Sequence, residues 1–119
     1  MAYSVHQMER IEHVFEQKGI PAVGKKFMGG FCFFMDDKMI IGIDNDKKTG
    51  KDRLMARIGE DAMTNALKKE GCRLMDFTGR AMKGFVFIDP EGFDLDSDLE
   101  HWIQLAIDYN PFAKRNKRK

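Results

Sequence analysis

Two cysteines, three histidines, two short acidic runs and a glycine pair are the residues of this 119-residue chain whose types could do chemistry. A thiol attacks only as thiolate, which needs a neighbouring cation, a metal or a helix N-terminus. Cys32 stands instead inside Phe31-Cys32-Phe33-Phe34 and reads as a buried, inert thiol. Neither Cys32 nor Cys72 has a second Cys or His at metal-ligand spacing. His6 and His13 lie seven apart, on one side of a helix beside its apolar stripe, and His101 next to Trp102 is expected to be exposed. Asp44-x-Asp46 and Asp94-x-Asp96-x-Asp98 imitate the opening of a calcium loop. The first places Lys48 and Met55 where oxygen ligands are required and Thr49 where glycine is; the second places Leu99 at the glycine position. Gly29-Gly30 leads into a strand-like run rather than a helix. It reads as a turn or a close backbone approach, not a phosphate cradle. Arg53 and Arg57 share a strand face and read as solvated, with an anion site as the sharper alternative. The expectation is therefore no catalytic residue, no cofactor, no metal ligand set, and no enzyme.

The elements that would position these residues are organised around 25–43, the densest apolar run. Residues 31–35 and 39–43 read as strands joined near Asp36-Asp37-Lys38, since Asp tolerates turn conformations. In this hairpin Phe31, Phe33 and Met35 face one way and Cys32 and Phe34 the other, so two apolar faces need cover. Phe31, Phe33 and Met35 are the candidate interaction residues, should their face be left open. Ahead of the hairpin, 4–18 is predicted helical: Ser4 and Gln7 have capping-box spacing, Val5, Met8, Ile11, Val14 and Phe15 form a stripe, and Gly19 and Pro21 stop it. A first strand spans 23–28.

Beyond the hairpin, 44–52 is a charged loop, and Leu54, Ala56 and Ile58 alternate with Arg53, Met55 and Arg57 as a half-buried strand. A second helix spans 60–70, acidic at its start, with Lys68 and Lys69 at its end and Gly71 as cap. Strands 72–77 and 82–88 follow. The last helix opens with Ser97 and Glu100 as a second capping box, carries Leu99, Trp102, Ile103 and Ala106 at helical period, and stops at Pro111. The order α-β-β-β-β-α-β-β-α predicts an α+β two-layer sandwich with a mostly antiparallel sheet.

Length bounds the chain to one domain, expected at 1–113, with a basic disordered tail at 114–119. Five of the 20 cations are Lys114, Arg115, Lys117, Arg118 and Lys119, so without them the +1 total becomes −4. Phosphate neutralisation needs clustered cations, so nucleic-acid binding is expected only through that tail. Nine methionines and ten phenylalanines suit a soft core and also adaptable binding surfaces. No apolar run reaches the roughly 20 residues of a membrane span, and the first 20 residues lack a signal-like apolar segment. A cytoplasmic location with reduced thiols is the expectation.

Two separated blocks carry a likeness. Phe27-Met28-Gly29-Gly30-Phe31 with 34–43, and Phe77-Thr78-Gly79-Arg80-Ala81-Met82-Lys83-Gly84 followed by Val86, Asp89-Pro90-Glu91-Gly92 and Leu99-Glu100-x-Trp102, resemble the TfoX/Sxy N-terminal domain family. The likeness spans about 8–110. It implies a secretion-chaperone-like α+β sandwich, here as a stand-alone domain without the C-terminal domain of the competence regulator. The regulator is understood as a coactivator acting with the cyclic-AMP receptor protein, and the family brings no catalytic residues. The functional expectation is thus a non-enzymatic, regulatory protein-interaction module. Its partner is a protein, a second copy included, and a nucleic-acid-associated role through the tail is the alternative.

Overall fold

The computed structural model describes residues 3–27, 29–77 and 80–113. Helix α1 runs Val5–Lys18. Ser4 Oγ accepts from the Gln7 amide, and Gly19 takes the left-handed conformation that ends it. Five strands and two helices follow a first strand, in the predicted order: β1 (Val23–Phe27), β2 (Gly30–Met35), β3 (Lys38–Asn45), β4 (Asp52–Arg57), α2 (Glu60–Ala66), β5 (Cys72–Phe77), β6 (Arg80–Ile88) and α3 (Asp96–Tyr109). The strands form one sheet in the order β1-β2-β3-β4-β6-β5, and every pairing is antiparallel. The helical excursion after β4 lets β5 land on the far edge, so that β6 returns between β5 and β4.

The turns explain the register. Asp36 and Asp37 both have positive φ, 56° and 61°, between the paired ends Met35 and Lys38. That is the primed two-residue turn whose twist matches a hairpin. Gly29 turns β1 into β2 at φ 79°, while a Cβ on Gly30 would strike the Ile43 carbonyl of β3. The glycine pair thus serves both expected purposes, one residue each. A bulge beside Phe33 and Phe34 leaves Ile40 and Ile41 both in the main core.

All three helices pack on one face of the sheet. Ile11 and Phe15 of α1, Ala66 of α2, and Leu99, Trp102, Ile103 and Ala106 of α3 share a buried cluster with Phe33, Ile41, Ile43, Leu54, Ala56, Val86 and Ile88. The other face holds a second buried cluster: Cys32, Phe34, Met39, Met55, Met75 and Phe87. Cations lie across its rings, Arg53 at 3.7 Å and Arg73 at 5.2 Å from the Phe87 centroid and Lys25 Nζ at 4.6 Å from that of Phe34. β4 is therefore buried on both faces, where alternation predicts one.

Two further expectations are corrected. α2 ends at Ala66, well before Glu70, and Gly71 at φ 82° belongs to the following turn. Gly71 lies against Gly92, where a Cβ would meet the Gly92 amide at 2.9 Å, so tertiary contact fixes that segment. α3 begins at Asp96 with Leu95 as N-cap and no side-chain capping bond, so Ser97 lies inside the first turn. The start of α3 is held by α1 instead: Arg10 Nη2 donates to the carbonyls of Phe93 and Asp94, both at 3.1 Å, and to Asp96 at 3.0 Å.

Candidate functional site

The fold buries Cys32 and half-buries Cys72. Cys32 is buried in the second cluster, and desolvation with the nearby Asp44 charge pushes its thiol up to about 12. Burial, then Asp89, pushes Cys72 up to about 11. Neither supplies thiolate near neutrality. His101 is half-buried rather than exposed. Burial, then the Lys69 charge, lowers its pKa against a smaller opposing effect of Asp98.

The acidic pair at the end of β3 is committed to arginines. Arg53 makes a two-point contact with Asp44, 3.1 and 2.9 Å, and its Nη1 lies 3.5 Å from Asp46. Arg73 on β5 joins Asp46 at 3.2 Å to Asp89, which it grips at 2.9 Å through two nitrogens. Asp46 Oδ1 also accepts the Lys48 amide at 2.9 Å. That bond first, and the two guanidiniums after it, hold the Asp46 carboxyl below its ordinary range. The chain Asp44–Arg53–Asp46–Arg73–Asp89 thus ties β3, β4 and β5 together. Arg53 accordingly is not the solvated side chain the period-two pattern suggests.

The candidate interaction residues sit on the helix side. Phe33 is 2% exposed, with the Phe15 ring 5.3 Å away. Phe31 is half-buried between Tyr3 and Phe33, each at 5.4 Å, and Met35 is half-buried against the same core. Of the candidate interaction residues Phe31, Phe33 and Met35, Phe33 is thus covered by Phe15 of α1 and the shared core, while Phe31 and Met35 are half-buried at its margin. Lys114, Arg115, Lys117, Arg118 and Lys119 lie outside the described residues.

What the structure assembles instead is a groove of about 600 Å³ where the start of α2, the Lys83-Gly84 stretch of β6 and the end of α3 meet. Leu105, Tyr109 and Phe112 form its apolar wall, and Ala62 and the buried Ile58 complete the apolar lining. Phe112 is 78% exposed, the most of any large apolar side chain among the described residues. The floor is stiff. Ile58 and Gly59 both donate to the Gly84 carbonyl, at 2.8 and 3.0 Å, and Gly59 has φ 85°. A Cβ on Gly59 would lie 2.5 Å from the Tyr109 ring. The sequence held a signal for this wall. Residues 105, 109 and 112 are spaced four and three apart, a second helical stripe beside the core stripe of α3. The core residues of α3 and the helix stop at Pro111 masked it.

A larger cleft, about 660 Å³, lies between α1 and α3 and includes His6 and His13. It is crossed by the chain's own ion pairs, Arg10–Asp96 and Lys18–Glu100, both at 3.0 Å. Among the described residues, no group of three or more His, Cys, Asp or Glu is placed to hold a metal ion, and no helix is long and apolar enough to cross a membrane.

A six-stranded antiparallel sheet with three helices on one face defines a small α+β domain. Residues 17–109 match the family model of the TfoX N-terminal domain, so the chain belongs to the TfoX N-terminal domain family. No curated protein matches the sequence. A structural-genomics crystal structure of a protein from Pseudomonas syringae is similar in fold, with a TM-score of 0.62 at 12% identity, covering 90% of this chain and 98% of that one. Neither the family match nor that structure indicates catalysis.

Proposed function

We propose that the chain acts as a regulatory protein-interaction domain rather than as an enzyme. The carrying observation is the stiff-floored groove whose lip presents Phe112, 78% exposed on a wall shared with Leu105 and Tyr109. Aromatic side chains are enriched at protein-recognition surfaces and among the residues that anchor them. Membership in the TfoX N-terminal domain family supports a regulatory setting. The raised thiol pKa values of Cys32 and Cys72 count against the two nucleophiles an enzyme reading would use.

The test is affinity capture from native extract with the full chain and its Phe112→Glu variant, after matching their thermal unfolding. A named partner that binds the native chain and is lost on the variant supports the proposal. Identical partner sets on both remove the groove from the interaction.

A further inference from the structure

We infer that the groove takes a cationic, apolar-anchored segment of a partner protein, a reading that rests on the interaction role proposed above. The lining sets the apolar requirement: Leu105, Tyr109 and Phe112 contribute from the end of α3 and the turn after it, and Ala62 from α2, with the buried Ile58 also reaching the groove. The rim sets the charge. Among the described residues, Glu60, Asp61 and Asp108 are exposed around the groove against a single cation, Lys83. Asp108 accepts one bond, from Gln104 Nε2 at 2.8 Å, and a carboxylate has further acceptor sites to offer. Among the described residues, no guanidinium or ammonium is paired with these three carboxylates, whereas Asp44, Asp46 and Asp89 each face a guanidinium.

Lysine and arginine match both requirements at once. Their aliphatic stems lie along apolar surface while the charged heads reach the rim. A guanidinium over Tyr109 or Phe112 gains further from the ring face. An acidic segment would meet three like charges. The cleft between α1 and α3 offers no comparable excess, because Arg10 and Lys18 already answer Asp96 and Glu100.

The test uses the full chain and a designed peptide pair, with lysines in one and glutamates in the other at the same positions between leucine and phenylalanine anchors. Binding is followed by amide and side-chain NMR shifts at Gly84, Leu105 and Tyr109. The lysine peptide is expected to shift these resonances. Its affinity should fall about tenfold or more in Glu60→Gln/Asp61→Asn/Asp108→Asn, and it should weaken as salt is raised. Equal binding of both peptides overturns the charge inference and leaves the interaction role standing. No shift with either peptide overturns the groove as a docking site and with it that role. Two outcomes would make another occupant the true one. Binding that appears only after residues 114–119 are deleted assigns the groove to the chain's own end. Concentration-dependent self-association lost in Phe112→Ala assigns it to a second copy. Either overturns the partner segment.

Discussion

At the scale of single residues, burial sets the reactivity of the two thiols. With thiols at about 12 and about 11, Cys32 and Cys72 hold roughly a hundredth or less of the thiolate of an ordinary cysteine at neutral pH. Alkylation by iodoacetamide, read by mass spectrometry, is expected to be at least about a hundredfold slower in the folded protein than in denaturant. A fast-reacting thiol in the native state would contradict the buried placement. Gly30 makes a matching steric statement. A methyl group there meets the Ile43 carbonyl, a backbone atom that cannot rotate away, so Gly30→Ala should cost about 2–4 kcal/mol in urea unfolding. Gly29→Ala meets nothing within 4 Å and strains only its positive φ, so it should cost about 1–2 kcal/mol. The sequence shows the pair but not which glycine carries which duty, because the Gly30 contact comes from a strand thirteen residues on.

Between elements, long polar side chains do the joining. Arg10 reaches from α1 to two carbonyls ahead of α3, and the Asp96 carboxylate it also touches is 97% exposed. An exposed pair contributes little, whereas charge-assisted bonds from a largely buried guanidinium contribute more. Arg10→Ala should therefore cost about 1–3 kcal/mol and Asp96→Ala under about 0.5 kcal/mol, measured side by side in urea. Lys38 does the same work at the other end. It is 8% exposed, and its Nζ donates to the Asn110 carbonyl at 3.1 Å, where α3 ends and a cation is favoured by the helix dipole. Asn110 returns a bond to the Met35 carbonyl at 3.4 Å. Lys38→Met, which keeps the stem and removes the donor, is expected to cost about 1–3 kcal/mol and to raise amide exchange in the last turn of α3. These contacts join residues more than 70 positions apart, and no spacing rule reads them. What spacing does read is local: Ser4, Gly19 and the stripe residues Ile11 and Phe15 stand where period and capping predicted, while Val5 at the start of the stripe is exposed.

For the molecule as a whole, the charge network and one histidine set how stability depends on pH. Asp46 has a lowered pKa in the fold. Its contribution is complete above the unfolded carboxylate value of about 4 and is lost as pH falls through the folded value. His101 is also lowered. The stability tied to its neutral form is complete above about 6.5 and is lost as pH falls through its folded value. Acidification should therefore weaken the protein in two successive windows, both with the same sign. Urea midpoints against pH are expected to lose the lower step in Asp46→Asn and the upper one in His101→Gln. A profile unchanged in either variant would remove that group from the account.

The sequence by itself determined the class and the element order, because each rests on periodicity, glycine and proline acting over a few residues. It also carried the family likeness. Only the tertiary structure decided which hairpin face the helices cover. The alternation of Phe31, Phe33 and Met35 with Cys32 and Phe34 separates two faces without saying which one the helices take. It likewise turned Asp44 and Asp46 from a calcium-like motif into partners of arginines. The groove belongs to the same category. Asp61, Gly84 and Tyr109 meet only because α2 and α3 pack on one side of one sheet, and a surface made of distant segments has no local spacing to announce it.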